Sequence, residues 1–147
     1  MVKVTVDNIM RAEPCEEYTR ERVEKLWAGR EYLELEEILA LGIPNEDIMW
    51  AMTKVVITDD RQRRLLSYNI TKEIELPIWG ARHPDDGQPR NASDAWDAAS
   101  VAVRTAGSAA WDAAWAAGSG SVARDVAKDA ARVAAWKKIF NIVRRYL

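Results

Sequence analysis

Residues 91–147 limit the fold most strongly, because alanine dominates them and tryptophans stand at intervals among the alanines. The stretch DAWDAASVAVRTAGSAAWDAAWAAG leads into the break GSGS at 118–121. Alanine is the best helix former, and its small side chain lets neighbouring helices approach closely. We therefore predict two helices joined by a glycine–serine turn, which form an antiparallel hairpin over 91–147.

Apolar side chains recur every seven residues in both predicted helices. These residues are Trp96, Val103, Ala110 and Ala117 in the first helix, and Val126, Val133, Phe140 and Leu147 in the second. Such a repeat places its members along one stripe of each helix, so we expect the two stripes to face each other. The motif WDAA occurs at 96–99 and 111–114. We interpret its tryptophans as large side chains that pack over alanines rather than as a ligand site.

The first 82 residues are mixed in composition and interrupted by breaks, so we expect shorter helices there. Thr5 can cap a helix that runs to Arg11 before Pro14, and Gly29 ends a second helix over 15–28. Further helices are predicted from Pro44–Asn45 and from Asp59 to near Pro77, while VVIT at 55–58 is too short to separate strand from buried helix. The predicted fold class is all-α. We expect a single helical domain, a multi-helix bundle that ends in the hairpin.

The octet HPDDGQPR at 83–90 holds the one histidine of the chain beside two aspartates, a combination that metal sites and acid–base catalysis use. A metal site would need further ligands, but the sequence has no second histidine and no nucleophile motif or glycine-rich phosphate loop. Pro84 and the run DDG favour a turn. We therefore predict an ordered connector with no metal, cofactor or catalytic role. An enzyme centred on His83, Asp85 and Asp86 is the alternative.

Composition narrows the class of protein. The 147 residues are 48% apolar and 30% charged, which is typical of a globular chain. The single cysteine, Cys15, excludes an internal disulfide and suits a reducing compartment. The N-terminus MVKVTVDNIM lacks the apolar core of a signal peptide, and charged residues interrupt the alanine-rich region. We therefore expect a cytoplasmic protein without a membrane span.

The stretch IELPIWGARHPDDGQPRNASDAWDAA resembles part of a family of bacterial and phage immunity proteins. In that family a helix ending in a sequence like LPIF precedes a Pro-Asp-x-x-Pro-Arg connector and an alanine-rich helix with tryptophan–alanine repeats. The matching residues are Leu76, Pro77, Ile78, Trp79, Pro84, Asp85, Pro89, Arg90 and Ala95. Two earlier segments, VTVDNIMRAEPCEEYTRERVEKLWAG and IPNEDIMWAM, are similar to a module often found upstream in such proteins; its threonine-capped helix and cysteine-containing helix match Thr5 and Cys15. This chain departs from the pattern at Gly87 and Gln88, where charged residues are common.

The resemblance implies an all-helical protein without enzymatic activity that binds another protein. Its setting would be the cytoplasm of a bacterium or of a phage-infected cell.

Charge is unevenly distributed, and this asymmetry is the best clue to a partner. The segment from Glu31 to Thr53 carries six acidic residues and no lysine or arginine, whereas Val122 to Leu147 carries seven basic residues against two acidic ones. An acidic surface accelerates association with a basic target such as a nucleic-acid-handling enzyme or a toxin. The predicted partner-binding residues are Glu34, Glu36, Glu37, Glu46 and Asp47, with Trp50 as an aromatic anchor and Arg90 as a further contact in the connector.

The leading hypothesis is a non-enzymatic protein-binding module that neutralises or regulates a partner, as an immunity protein or a phage-encoded inhibitor. The alternative is a structural helical protein that self-associates through its apolar stripes. Direct binding of nucleic acid or of an anionic membrane through Lys137, Lys138, Arg144 and Arg145 is less favoured. Basic residues near a helix C-terminus also complement the helix dipole.

Overall fold

A computed structural model of the chain describes residues 2–82 and 94–147. In this part of the chain the regular structure is helical, which confirms the predicted all-α class. The chain forms two compact units, Met1–Asp59 together with Leu147, and Asp60–Tyr146. The first unit consists of short helices, and the second contains the hairpin. The predicted connector at 83–90 lies outside the described residues.

Four short helices and a π-helical segment form the first unit. They are α1 (Val6–Arg11), α2 (Arg20–Trp27), α3 (Leu35–Leu39), α4 (Asn45–Ala51) and the π-helical segment Met52–Val56. Thr5 caps α1 as predicted: its Oγ1 accepts from the backbone N–H of Asn8 at 3.1 Å, and Asn8 Oδ1 accepts from the N–H of Thr5 at 2.9 Å. Helices this short do not persist alone in water, so the first unit depends on its buried side chains.

Helix α2 is shorter than the predicted helix over 15–28. Thr19 has an extended backbone, and its side chain accepts a hydrogen bond from the N–H of Arg22 at 3.2 Å. An N-cap in this conformation starts a helix and breaks any helix before it, so residues 15–18 form a turn instead. At the other end Ala28 adopts the left-handed conformation, with a φ of 50°, and terminates α2.

Val4 and Leu33 form an isolated antiparallel bridge in the first unit, in which the N–H of each donates to the carbonyl oxygen of the other at 2.9 Å. The indole Nε1 of Trp27 donates to the same Val4 carbonyl at 3.0 Å. All three side chains are buried, so these bonds join three separate parts of the sequence in one core. The run VVIT at 55–58 forms no strand. It starts in the π-helical segment and ends in irregular backbone.

The second unit begins with a continuous helical path made of α5 (Asp60–Ile70), the π-helical segment Thr71–Glu75 and α6 (Leu76–Arg82). The prediction that this helix closes near Pro77 is wrong. A proline ring normally collides with the preceding turn of an α-helix. Here the preceding turn is the wider π-helical one, closed by the bond from the N–H of Leu76 to the carbonyl oxygen of Thr71. Pro77 then occupies the first turn of α6, where a proline is tolerated.

Helices α7 (Ala95–Ala116) and α8 (Ser121–Arg144) form the predicted antiparallel hairpin. Gly118 in the turn has a φ of 78°, a conformation that favours glycine. The buried residues of α7 are small and spaced three or four apart: Ala95, Ala98, Ala99, Ala102, Val103, Ala106 and Gly107. Small side chains at a helix contact shorten the distance between helix axes. The alanine-rich composition therefore explains the close packing of α7.

The predicted heptad stripes do not face each other along their whole length, which corrects the sequence prediction. Their exposed members include Trp96, Val126 and Val133, at 38%, 63% and 54% exposure. Phe140 of the same α8 stripe is buried and stacks on Trp136, with ring centres 5.6 Å apart. The reason is that the buried residues of α8 all lie between Ala135 and Val143, toward the end at which Arg145 pairs with Glu73. Besides α7, helix α5 and the segment Thr71–Glu75 contact α8.

Candidate protein-binding surface

The five acidic residues predicted to contact a partner lie around the starts of α3 and α4, which contact each other. Glu34 precedes α3, Glu36 and Glu37 lie in its first turn, and Glu46 and Asp47 lie in the first turn of α4. Carboxylates at a helix N-terminus interact favourably with the helix dipole, so this placement also stabilises two short helices. Glu36 and Glu46 are exposed, whereas the other three are half-buried.

Glu37 has a structural role. One of its carboxylate oxygens accepts from the backbone N–H of Glu34 at 2.9 Å, and the other lies 3.3 Å from Nη1 of Arg30. Arg30 also donates from Nε to the carbonyl oxygen of Trp27 at 3.1 Å. Glu37 therefore connects the end of α2 with the start of α3.

Asp47 is engaged in a similar way, because its carboxylate accepts a hydrogen bond from the hydroxyl of Tyr18 at 2.5 Å. Burial of the Tyr18 hydroxyl, reinforced by this hydrogen bond and by the charge of Asp47, raises the pKa of Tyr18 well above its ordinary value. The tyrosine stays protonated and keeps donating. The bond fixes the turn at 15–18 against α4.

The remaining predicted site residues are less well placed or outside the described part. Trp50 lies in α4 and is half-buried, so only part of its ring is open to a partner. Arg90 lies outside the described residues, as do His83, Asp85 and Asp86, and their roles stay predictions. Within 2–82 and 94–147, no group of three or more His, Cys, Asp or Glu side chains is arranged to hold a metal ion.

The charge asymmetry follows the division into units. Residues 1–59 contain seven lysines and arginines against thirteen aspartates and glutamates, a net charge of -6. Residues 60–147 contain fourteen basic residues against ten acidic ones, a net charge of +4. The exposed Glu36 and Glu46 thus belong to a unit that is acidic as a whole.

A cluster of cations and tryptophans on the hairpin was not predicted. The guanidinium of Arg124 lies 4.1 Å from the ring centre of Trp115 and 5.1 Å from that of Trp111. Lys128 lies 6.0 Å from the Trp111 ring, and Arg132 follows four residues later. We call these five residues the cation–tryptophan cluster. Two patterns in the sequence could have revealed it. The three cations recur every four residues, and so do the two tryptophans, which places each set on one face of its helix.

Glu75 is a second unpredicted feature, a buried acid in the second unit. Its side chain is 2% exposed, and its Oε2 is buried without a hydrogen-bond partner in the described part of the chain. Burial raises the pKa of Glu75 above the ordinary value of a glutamate. The sequence could have indicated this burial, because Glu75 is the one charged residue of the otherwise apolar run IELPIW at 74–79.

No family model, curated protein or solved structure matches the chain. In the described part of the chain, no helix has an apolar stretch long enough to traverse a lipid bilayer.

Proposed function

We propose that the chain is a non-enzymatic protein-binding module that neutralises or regulates a basic partner protein, as an immunity protein or a phage-encoded inhibitor does. The observation that supports this proposal is the grouping of the exposed Glu36 and Glu46 at the starts of two contacting helices in a unit of net charge -6. The segment from Glu31 to Thr53 itself contains no lysine or arginine. A surface of one charge sign steers an oppositely charged protein towards it and raises the rate of encounter.

The partner we infer is a protein with a basic groove, such as a nucleic-acid-handling enzyme or a toxin. Surface carboxylates carry the same charge as the phosphates that such a groove binds, so they compete for the same place. Glu36 and Glu46 serve as the steering charges. Glu34, Glu37 and Asp47 hold the acidic surface in shape through their contacts within the chain. The open part of the Trp50 ring supplies an apolar contact.

The test compares two double variants of the full chain. Glu36→Gln with Glu46→Gln removes the two exposed acids and leaves the half-buried ones in place. Glu16→Gln with Glu17→Gln removes the same charge from exposed positions ahead of α2. The native chain and both variants are used as bait in lysate of the host cell, and mass spectrometry identifies the captured protein. The association and dissociation rates of that purified protein are then measured over a range of salt concentrations.

Steering charges act on the encounter, so the Glu36/Glu46 variant is expected to associate more slowly at low salt and to dissociate at an unchanged rate. Its association rate should also depend less on salt, because fewer charges remain to be screened. The Glu16/Glu17 control should keep the native rates. Equal slowing of both variants would show that total charge sets the rate. Native association rates in both variants would show that Glu36 and Glu46 do not steer the partner, and would contradict the proposal.

A second candidate function is self-association through α8, which three exposed valines favour. Val122, Val126 and Val133 are 76%, 63% and 54% exposed, and their spacing of four and seven residues places them on one helix face. Sedimentation velocity of the native chain and of a Val126→Ser, Val133→Ser variant tests this candidate. A mass that rises with concentration in the native chain alone would support it. A monomer at every concentration would eliminate it.

A further inference from the structure

We propose that the cation–tryptophan cluster of the hairpin binds single-stranded nucleic acid. Arg124, Lys128 and Arg132 follow one another at four-residue spacing, so they form a row along one side of α8 with a rise of about 6 Å per step. Trp111 and Trp115 of α7 lie beside the first half of this row. The cluster lies in the second unit, and its proposed ligand is unrelated to the basic protein proposed above.

The three cations of the row form no ion pair with another residue of the described part of the chain, although Asp125 and Asp129 each follow a cation in the sequence. The Nε atoms of Arg124 and Arg132 are buried without a hydrogen-bond partner, so that edge of each guanidinium is turned against the hairpin. No hydrogen bond joins their terminal amino groups to another described residue, so these are the groups that would contact a phosphate.

The contact of Arg124 with the two tryptophans prepares this arginine for a ligand. A guanidinium stacked on an aromatic ring keeps its planar fork of donors, which matches the two oxygens of a phosphate. Side chains held in one orientation before binding lose less conformational freedom when the ligand arrives. Arg124 meets both conditions, since it contacts the rings of Trp111 and Trp115.

The ligand has to match two features together, a line of positive charge and a flat apolar ring. Trp115 is 62% exposed, so much of its indole remains available. A single strand of nucleic acid carries phosphates in a line and bases that stack on aromatic rings, which is the usual combination at such sites. A duplex keeps its base faces stacked inside, and an acidic peptide has no bases. The single strand is therefore the ligand that uses the row and Trp115 together.

The structure also separates this site from the basic residues that the sequence singled out. Arg145 of that group is paired with Glu73 at 2.6 and 2.8 Å, and Trp136 beside Lys137 is buried. Lys137 and Lys138 are exposed on α8, at positions outside the row. Lys137, Lys138 and the likewise exposed Arg144 therefore provide a matched control.

The test measures binding of a short fluorescein-labelled oligothymidylate to the full chain by fluorescence anisotropy, at salt concentrations between about 50 and 200 mM. Trp115→Ala removes the exposed ring. The row variant is Arg124→Gln, Lys128→Gln, Arg132→Gln, and the control is Lys137→Gln, Lys138→Gln, Arg144→Gln. Circular dichroism establishes that each variant keeps its helices. Trp115→Ala alters an exposed side chain, so it tests the site even if the row variant fails to fold.

Three phosphate contacts predict a slope of about -2 for the logarithm of the binding constant against that of salt, at about -0.7 for each phosphate. Trp115→Ala is expected to weaken binding about tenfold, the effect of losing one stacked base. The row variant should lose the salt-dependent binding, and the control should retain native affinity.

Four results would overturn the proposal. They are no binding by the native chain, equal losses in the row variant and the control, native affinity in Trp115→Ala, and displacement by polyglutamate as effective as by unlabelled oligothymidylate. The last result would assign the row to an acidic protein instead.

Discussion

The indole Nε1 of Trp27 donates a hydrogen bond to the carbonyl oxygen of Val4, 3.0 Å away in the core of the first unit. The same oxygen accepts from the backbone N–H of Leu33, so one carbonyl joins the start of the chain to α2 and to the residues before α3. Trp27→Phe retains an aromatic ring but removes the donor and leaves part of the space empty. We expect a loss of about 1–3 kcal/mol in the free energy of unfolding, measured by urea unfolding followed by circular dichroism.

Trp115→Phe is the matched control for this prediction, because it makes the same change in an exposed ring of the second unit. Its effect should stay within about 0.5 kcal/mol. Indistinguishable losses in the two variants would show that the bond to Val4 contributes nothing specific.

The heptad stripe of α8 gives the second prediction, because its two halves have different surroundings. Phe140→Ala should cost about 3–5 kcal/mol, since it removes a buried ring that stacks on Trp136. Val126→Ser with Val133→Ser should stay within about 1 kcal/mol, because both side chains are exposed. Thermal unfolding of the three proteins at one matched concentration checks this. A large loss in the serine variant would mean that the exposed face is covered in solution, as self-association requires.

The same stripe shows how far the fold was predictable. Periodicity located Val126, Val133 and Phe140 on one face of α8, but it carries no information about how far along the helix the neighbouring elements reach. Local signals were more reliable: Thr5 identified a helix start through its own side-chain bond. Pro77 led to a wrong prediction of a helix end. A proline ring normally clashes with the preceding helical turn, but here that turn is π-helical and wider, so the helix continues.

Glu75 gives a prediction about pH. Burial raises the pKa of this carboxyl, so the folded chain binds its proton more tightly than the unfolded chain, in which the pKa is near 4.5. Its contribution to the free energy of unfolding is therefore expected to fall as pH rises from about 4.5 through the folded-state pKa, and to be constant above that pKa. Glu75→Gln cannot ionise. The stability of the variant relative to the native chain should grow with pH across this range, as measured by urea unfolding.

Glu73→Gln is the control with the opposite sign. The hydrogen bonds from Arg145 lower the pKa of Glu73, so its favourable contribution is present above the ordinary pKa and is lost as pH falls through the folded-state pKa. Both partners are on the surface, so the effect should be small. A parallel pH dependence in native chain and Glu75→Gln would contradict the burial of an ionisable carboxyl at position 75.

The acidic surface was predicted from the sequence, whereas the cation–tryptophan cluster was not. A run of acids without lysine or arginine identified the acidic surface, because charge is visible residue by residue. The bond that engages Asp47 was not visible, because its partner Tyr18 lies 29 positions away in the sequence. The cation–tryptophan cluster was missed for the same reason. Arg124 meets Trp111 and Trp115 only when the hairpin closes, and a composition rich in alanine suggests a purely apolar contact there.

Gly107 gives the last prediction, because it leaves room for the cations of the row at the contact between α7 and α8. A Cβ atom at this position would lie 3.2 Å from Cγ and Nε of Arg132 and 3.4 Å from Cγ of Lys128. Gly107→Val adds a branched side chain there, so we expect a loss of about 1–3 kcal/mol from overpacking. Ser108→Val introduces the same side chain at the next, exposed position of α7 and should cost less than about 1 kcal/mol. Thermal unfolding distinguishes the two, and losses of equal size would show that Arg132 and Lys128 move aside freely.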